Sequence, residues 1–208
     1  MNRHDTFARP AVALYWDFEN LHAALVEARS GEGAYAKPDA RFKVQEPLVD
    51  VQAIVDLAAS YGPLAINRAY ANWQYLGRYR DALLQTAIDL VQMFPPGAAA
   101  KNGADIRLCL DAMEDVGRLD HVGTVIVVGG DSDFMPLALK IKAAGRTLVG
   151  VGARANTNRH WARSCHEFRY YDTLVAGNPI DMPAGGHDDD ADATVTLPSM
   201  PDLSLPAA

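Results

Sequence analysis

Short apolar runs alternate with amphipathic segments along most of the chain. Residues 125–128 are a continuous run of β-branched side chains, followed directly by Gly129 and Gly130. Such a run with a glycine exit predicts a buried parallel strand and the turn after it. Residues 12–16 form another short apolar run near the N-terminus. The pattern therefore predicts buried strands at both places.

Applied along the whole chain, the same pattern gives an alternating order of strands and helices. Strands are predicted at 11–16, 64–70, 89–94, 123–129, 147–151 and 168–171. Helices are predicted at 21–29, 48–60, 79–88, 105–117, 134–144 and 156–165. This alternation indicates a doubly wound α/β fold, with a mainly parallel sheet covered by helices on both faces. The loop-rich segment at 27–47 receives no role from the sequence.

Composition separates a folded body from a tail. The chain has 208 residues, enough for one sizeable core, which we place at residues 1–177. Residues 178–208 contain five prolines and six acidic residues but no Lys, Arg or aromatic residue, so we predict a disordered tail. The body then holds 20 acidic and 19 basic residues. The overall charge of −7 is therefore no argument against nucleic-acid binding.

Several features favour a cytoplasmic protein. No apolar run approaches the roughly 18 residues of a membrane span, and residues 1–9 are polar and lack the apolar stretch of a signal peptide. The two cysteines, Cys109 and Cys165, fit unpaired thiols in a reducing compartment, although the sequence leaves a disulfide between them open.

Acidic residues follow the predicted strands at their carboxyl ends. Asp131 and Asp133 come after the strand at 123–129, and Asp17 comes after the strand at 11–16. This end of an open α/β sheet is where ligands usually bind. The alternative is that each aspartate caps the following helix, since aspartate is a favoured N-cap residue. One cap needs one aspartate, so the pair at 131 and 133 favours a functional role.

Two further polar residues belong to the same pattern. Asn20 follows Asp17 by three residues, and Asp105 stands at the start of a predicted helix; either residue also suits an ordinary helix cap. Asp111 comes six residues after Asp105, which turns it away from Asp105 on a regular helix. Asp111 is therefore a secondary candidate, either a support for the site or a solvated helix residue.

A meeting of Asp17, Asp105, Asp131 and Asp133 would have an electrostatic cost. Two carboxylates about 5 Å apart repel by about 3 kcal/mol at an effective dielectric constant near 20. Either some of the group are protonated or a cation lies among them. All-oxygen ligands suit Mg²⁺ or Mn²⁺ better than zinc or copper. A metal-activated water that attacks a phosphodiester is the chemistry expected of such a site.

Three ordered acidic motifs resemble the NYN domain family of PIN-like nucleases. They are Asp17-Phe18-Glu19-Asn20, Lys101-Asn102-Gly103-Ala104-Asp105 with Asp111, and Gly130-Asp131-Ser132-Asp133-Phe134. The resemblance implies a doubly wound α/β domain with an acidic pocket and metal-dependent RNA cleavage. It is closest to a subgroup that often carries a winged-helix-like LOTUS domain after the nuclease domain, for which the present sequence shows no equivalent.

The resemblance also assigns residues to the pocket. The residues at the positions of the family's acidic pocket are Asp17, Asn20, Asp105, Asp131 and Asp133. The four aspartates are then the expected metal ligands, and Asn20 is expected to orient a ligand or water. Ser132 lies between two of these aspartates, and Lys101 beside the pocket is either a contact of the scissile phosphate or a plain loop charge.

Cationic and aromatic residues near the carboxyl ends of the strands predict a surface for single-stranded RNA. Its candidate members are Arg68, Tyr70, Asn72, Trp73, Arg154 and Arg159. The alternative is that the aromatic rings fill the core and the arginines are ordinary solvated surface. The oligomeric state stays open, with a homodimer among the options.

The leading hypothesis is an endoribonuclease that acts on unpaired RNA. The main alternative is a catalytically weak RNA-binding adaptor in RNA processing or silencing. A nucleotide-sugar transferase with Asp131 and Asp133 as a short metal motif leaves Asp17 and Asp105 unexplained. A haloacid-type phosphatase needs a second aspartate where this chain has Glu19.

Overall fold

Six parallel strands form one sheet at the centre of the protein. The computed structural model describes residues 9–94 and 103–176. Three segments lie outside the described residues: the loop that two prolines and a glycine predict at 95–97, the loop residue Lys101, and the predicted tail at 178–208. The strands are β1 (Ala11–Asp17), β2 (Leu64–Ala71), β3 (Asp89–Gln92), β4 (Val122–Val128), β5 (Thr147–Gly152) and β6 (Glu167–Tyr170). All six predicted strands are confirmed within a few residues.

Helices cover both faces of the sheet, as the alternating pattern predicts. They are α1 (Phe18–Ser30), α2 (Pro38–Arg41), α3 (Val51–Tyr61), α4 (Arg80–Gln85), α5 (Gly103–Arg118), α6 (Met135–Ala143), α7 (Arg159–Ser164) and α8 (Tyr171–Val175). Two of these, α2 and α8, are absent from the prediction. Among the described residues, none of the helices has the length and apolar character needed to cross a bilayer.

The alternation of side chains along β1 shows why two helical layers are needed. Val12, Leu14 and Trp16 pack in one buried cluster with residues of α1, α3, α4 and α8. Ala13 and Tyr15 pack in a second cluster with residues of α5, α6 and α7. Because successive strand residues point to opposite faces, a strand that is apolar throughout must be covered twice. The doubly wound α/β fold is therefore confirmed.

Helix α1 begins three residues earlier than predicted. The carboxylate of Asp17 accepts a hydrogen bond from the backbone N–H of Asn20 at 3.2 Å, so Asp17 is the N-cap and α1 follows β1 without a loop. Helix α7 begins three residues later than predicted, because the side chain of Asn158 caps it.

The strand order places a crevice between β1 and β4. The strand order is β3-β2-β1-β4-β5-β6. The chain runs from β1 outward to β3, returns to the centre at β4, and then runs outward in the other direction to β6. Such a switch point leaves a crevice at the carboxyl ends of the two central strands, where open α/β sheets bind ligands. Trp16 pairs with Val128, so the two strands end level with each other. Residues that directly follow them are therefore brought together.

Candidate metal centre

Three carboxylates meet at the crevice between β1 and β4. Asp17 ends β1, Asp131 follows the glycine turn after β4, and Asp105 lies in the first turn of α5. One oxygen from each lies within 4.8 Å of the others. Asp17 and Asp105 are buried, whereas Asp131 is exposed. The structure thus brings together three of the four aspartates that the sequence predicts as metal ligands.

The cluster is electrostatically strained without a cation. Burial raises the pKa of Asp17 well above its ordinary value, and the charge of Asp105 and a hydrogen bond with its carboxyl group raise it further. The pKa of Asp131 is raised as well, because neighbouring groups partly desolvate its carboxylate and because the charges of Asp105 and Asp133 lie close to it. Protons or a cation are needed to hold these carboxylates together.

Asn20 fixes the geometry of the cluster. Its amide Nδ2 donates to Oδ2 of Asp131 at 2.8 Å, and its Oδ1 accepts from the backbone N–H of Gly130 at 3.1 Å. Its own backbone N–H donates to Asp17. One residue at the start of α1 therefore ties β1 to the turn after β4. In the structure Asn20 orients the carboxylate of Asp131, and its predicted role of orienting a ligand or water stays a prediction.

The turn that carries Asp131 is packed too tightly for side chains. A Cβ on Gly129 would lie 2.6 Å from the ring of Phe134, and one on Gly130 would lie 2.9 Å from the carbonyl oxygen of Asn156. The loop before α7 and α7 itself hold this turn, since the N–H of Asn158 donates to Gly130 O and the indole of Trp161 donates to Gly129 O, both at 2.8 Å. Asp131 therefore projects from a rigid support.

Asp133 lies beside the cluster rather than in it. It is exposed in the short 3₁₀ turn Ser132–Phe134, and its carboxylate is not among the three that converge. Its charge still raises the pKa of Asp131 and that of the Cys109 thiol. Burial is the main reason that the pKa of Cys109 rises to about 11, so this thiol is not a nucleophile at neutral pH. Ser132 is half-buried in the same turn.

The donor set fits a hard divalent cation. Mg²⁺ binds oxygen ligands at about 2.0–2.1 Å, so oxygens on opposite sides of the ion are about 4.2 Å apart. Three carboxylate oxygens within 4.8 Å of one another need only small adjustments to share such an ion. Carboxylates without a neighbouring imidazole or thiolate ligand favour Mg²⁺ or Mn²⁺ over zinc. Asp17, Asp105 and Asp131 could therefore hold either ion.

Arg68, Tyr70 and Asp111 form a separate network between β2 and α5. The hydroxyl of Tyr70 donates to Asp111 at 2.8 Å, and Arg68 pairs with Asp115 at 3.0 Å. Asp115 also accepts from the hydroxyl of Tyr15. Tyr70 is fully buried and offers no ring face to a base, so it has no place in the predicted RNA surface. Asp111 points into this network and not towards the metal centre.

The other candidate RNA-binding residues are divided between two places. Asn72 and Trp73 follow β2, where the Trp73 ring packs on Phe18 with the centroids 5.1 Å apart. Arg154 follows β5 and stacks over Tyr170, with its guanidinium carbon 4.1 Å from the ring centroid. Arg159 is exposed at the start of α7, next to the residue that holds the Gly130 turn.

Sequence reasoning missed how the 27–47 segment is attached. The buried ring of His22 contacts the Tyr79 hydroxyl through Nδ1 at 2.9 Å and Gln45 Oε1 through Nε2 at 3.2 Å. The Tyr79 hydroxyl accepts from the N–H groups of Leu48 and Val49 at 2.7 and 3.0 Å. The sequence holds one signal of this attachment, which is that His22 lies on the apolar face of the helix predicted at 21–29.

Glu19, the third member of the first acidic motif, also serves this segment. Its carboxylate accepts from Arg41 Nε at 2.9 Å and from the Tyr35 hydroxyl at 3.4 Å. These contacts direct Glu19 towards α2. The two acids of this motif therefore have different tasks. Asp17 contributes to the metal centre, whereas Glu19 binds residues of the 27–47 segment.

Fold and site together define a class of protein, an α/β domain of the PIN-like kind with an acidic centre at the switch point of its sheet. A family model, "NYN domain", matches residues 11–172. The chain belongs to the NYN domain family, which is part of the PIN-like nuclease superfamily. Divalent metals are typical of that superfamily, and this chain has the acidic cluster to match.

Two individual relatives add little about function. An uncharacterized protein of Methanocaldococcus jannaschii is 30% identical over 105 residues, which cover 50% of this chain and 40% of that protein. A crystal structure of a protein of unknown function from Vibrio parahaemolyticus matches with a TM-score of 0.60 at 18% identity, over 84% of this chain and 98% of that one. The second likeness supports the fold alone.

Proposed function

We propose that this protein is a metal-dependent endoribonuclease that cleaves RNA phosphodiesters with a metal-activated water. The observation that carries the proposal is the convergence of Asp17, Asp105 and Asp131 within 4.8 Å, in a member of a nuclease family. Close carboxylates at the mouth of a crevice suit a divalent ion better than they suit any substrate anion by itself.

Each residue has a task set by its surroundings. The three carboxylates would hold Mg²⁺ or Mn²⁺, with Asp133 proposed as the fourth acid of the set. An ion held there would supply a water acidic enough to act as a nucleophile and would stabilise negative charge on the phosphate. Asn20 keeps the carboxylate of Asp131 aimed at the site, because it holds one oxygen and leaves the other available.

The test is cleavage of single-stranded RNA in Mn²⁺ or Mg²⁺ by wild-type protein and an Asp131→Asn variant. Asparagine keeps an oxygen that can accept the hydrogen bond from Asn20, so the fold should persist. Activity should fall at least about 100-fold, because water activation by the metal contributes several kcal/mol. The matched control is Asp120→Asn, at a fully exposed aspartate before β4, at the opposite edge of the sheet; it should cleave like wild type.

Two results would overturn the proposal. Undiminished cleavage by purified Asp131→Asn would remove this residue from the reaction. RNA binding by wild-type protein in chelator, without cleavage in either metal, would instead assign the chain as an RNA-binding adaptor.

A further inference from the structure

The charged residues of the body are strongly segregated along the chain. Residues 134–166 contain six of the 19 basic residues and none of the 26 acidic residues. The six are Lys140, Lys142, Arg146, Arg154, Arg159 and Arg163. This stretch forms α6, β5 and α7, and we call its surface the basic lobe. An excess of positive charge on these elements attracts a polyanion to that side of the molecule.

Most of these cations are available to a ligand. Arg146 pairs with Asp120, and Arg154 contacts Tyr170 and Thr173. The remaining four form no salt bridge with any residue of 9–94 or 103–176. They are Lys140, Lys142, Arg159 and Arg163.

An apolar groove of about 350 Å³ separates the basic lobe from α5. Its floor and walls include Ile106, Cys109, Leu110, Met113, Pro136 and Leu137. Asp105 and Asp133 also line it, so the groove opens directly beside the metal centre. Lys140 of the basic lobe lines it as well. A mainly apolar cleft with a few polar groups, of at least about 300 Å³, is the usual form of a small-ligand site.

The α5 wall of the groove is apolar yet open to solvent. Ile106 and Leu110 lie one helical turn apart, and they are 59% and 63% exposed. Two large aliphatic side chains left side by side in water at the mouth of a site indicate a surface that is covered in use. Nucleobases stack on aromatic and apolar side chains when they leave their own stack.

We propose that this groove binds an unpaired nucleobase of the RNA substrate next to the phosphate at the metal centre, while the basic lobe holds the phosphates beyond it. This inference rests on the proposed function and specifies its substrate. The groove shares Asp105 with the metal centre and is also lined by Asp133 beside that centre, so a strand whose phosphate lies at the metal centre passes over the groove. Lys140 lines the groove and supplies a positive charge for the phosphate next to the bound base.

A second copy of the chain is another occupant that an exposed apolar face could take, with the same patch of both copies in the contact. The cations beside the groove that form no salt bridge among the described residues favour a polyanion instead. An RNA strand meets the apolar groove with its bases and the basic lobe with its phosphates. Because a paired base is held in its duplex, the groove also predicts a preference for single-stranded RNA.

The test measures binding by fluorescence anisotropy, first with two ligands and three proteins. A chelator is present, so that binding is measured without cleavage. The ligands are an RNA decamer and a decamer of the same sugar-phosphate backbone without bases. The proteins are wild type, Leu110→Gln and the control Leu84→Gln, whose leucine is 67% exposed on α4, on the opposite helical layer. Wild type and the control should bind the RNA about tenfold more tightly than the baseless strand, the scale of one stacked base.

Leu110→Gln should lose most of the tenfold difference between the two ligands, because the variant can no longer recognise the base. An Ile106→Gln variant should behave in the same way, which guards against a local effect of one substitution. Annealing the RNA to its complement should remove the tenfold advantage for wild type. Unchanged discrimination by both groove variants would overturn the inference.

Two further outcomes separate this inference from a dimer interface at the groove and from the proposed nuclease function. If sedimentation shows a wild-type dimer that Leu110→Gln converts to monomers, the groove is an interface between copies and the inference is wrong. If wild type discriminates as expected in chelator but never cleaves RNA in Mg²⁺ or Mn²⁺, the proposed nuclease function fails and the nucleobase site stands.

Discussion

Asp17 shows most clearly how a functional residue departs from what stability alone would select. It is the N-cap of α1, a task that asparagine performs equally well. A carboxylate there is buried beside Asp105, and its pKa rises well above the ordinary value as a result. The native state therefore binds this proton more tightly than the unfolded chain does. Ionisation of Asp17 costs stability as the pH rises from about 4 towards the native pKa.

An Asp17→Asn variant should consequently be more stable than wild type in chelator. We expect the melting temperature to rise by about 2–4 °C, the shift that about 1 kcal/mol produces in a domain of this size. The difference should be larger at pH 8 than at pH 5, because the wild-type carboxyl is protonated more at the lower pH. Differential scanning fluorimetry measures both values.

Mn²⁺ should reverse the order of the two proteins. Bound metal stabilises wild type by mass action, whereas the variant has lost one ligand and gains little. Asp120→Asn serves as control and should respond to Mn²⁺ like wild type. A variant less stable than wild type in chelator at pH 8 would show that Asp17 is a structural residue.

At the scale of elements, the segment between α1 and α3 depends on His22 for its attachment. Gln45 Oε1 can only accept, so Nε2 of His22 carries the proton and Nδ1 accepts from the Tyr79 hydroxyl. That hydroxyl already accepts from two backbone N–H groups. A protonated imidazole would have no acceptor at Nδ1. Burial lowers the pKa of His22 accordingly, against weaker opposing effects of Gln45 and Glu19.

The attachment should weaken in mild acid. Once the pH falls below 6.5, the ordinary value for histidine, the detached state takes up a proton that the native state rejects. Hydrogen-exchange protection factors of Leu48 and Val49 should then fall, while those of β4 stay constant. A His22→Gln variant has no titrating group and should show no such dependence on pH. Constant protection of both amides between pH 7 and pH 5 in wild type would contradict this account.

The elements were predictable where a periodic pattern decides them. Short apolar runs gave the strands, among them the β-branched run at 125–128, and the amphipathic segments between them gave α3, α5 and α6. The short helices α2 and α8 have no such signal, because their bounds depend on contacts with distant parts of the chain, such as the bond from Arg41 to Glu19. Arg68 and Tyr70 were expected on an RNA surface, since a sequence does not tell which partners a strand residue meets. Their partners, Asp111 and Asp115, lie four residues apart on α5.

At the scale of the whole molecule, the fold turns separate motifs into one site. Asp17, Asp105 and Asp131 are far apart in sequence, and the switch point between β1 and β4 is what brings them together. The position of acids after strands predicted this meeting, because the carboxyl ends of parallel strands share one edge. The 3₁₀ turn that carries Asp133 places its carboxylate beside the other three, so its role as a fourth ligand stays a prediction.

The central claim is that these carboxylates form a single divalent-ion site. Anomalous diffraction from crystals soaked in Mn²⁺ tests it most directly, because it locates the ion without reference to activity. We predict one strong peak between Asp17, Asp105 and Asp131, within bonding distance of an oxygen from each, and no peak there in Asp131→Asn. Well-ordered carboxylates with no manganese between them, or a manganese bound elsewhere, would contradict the account.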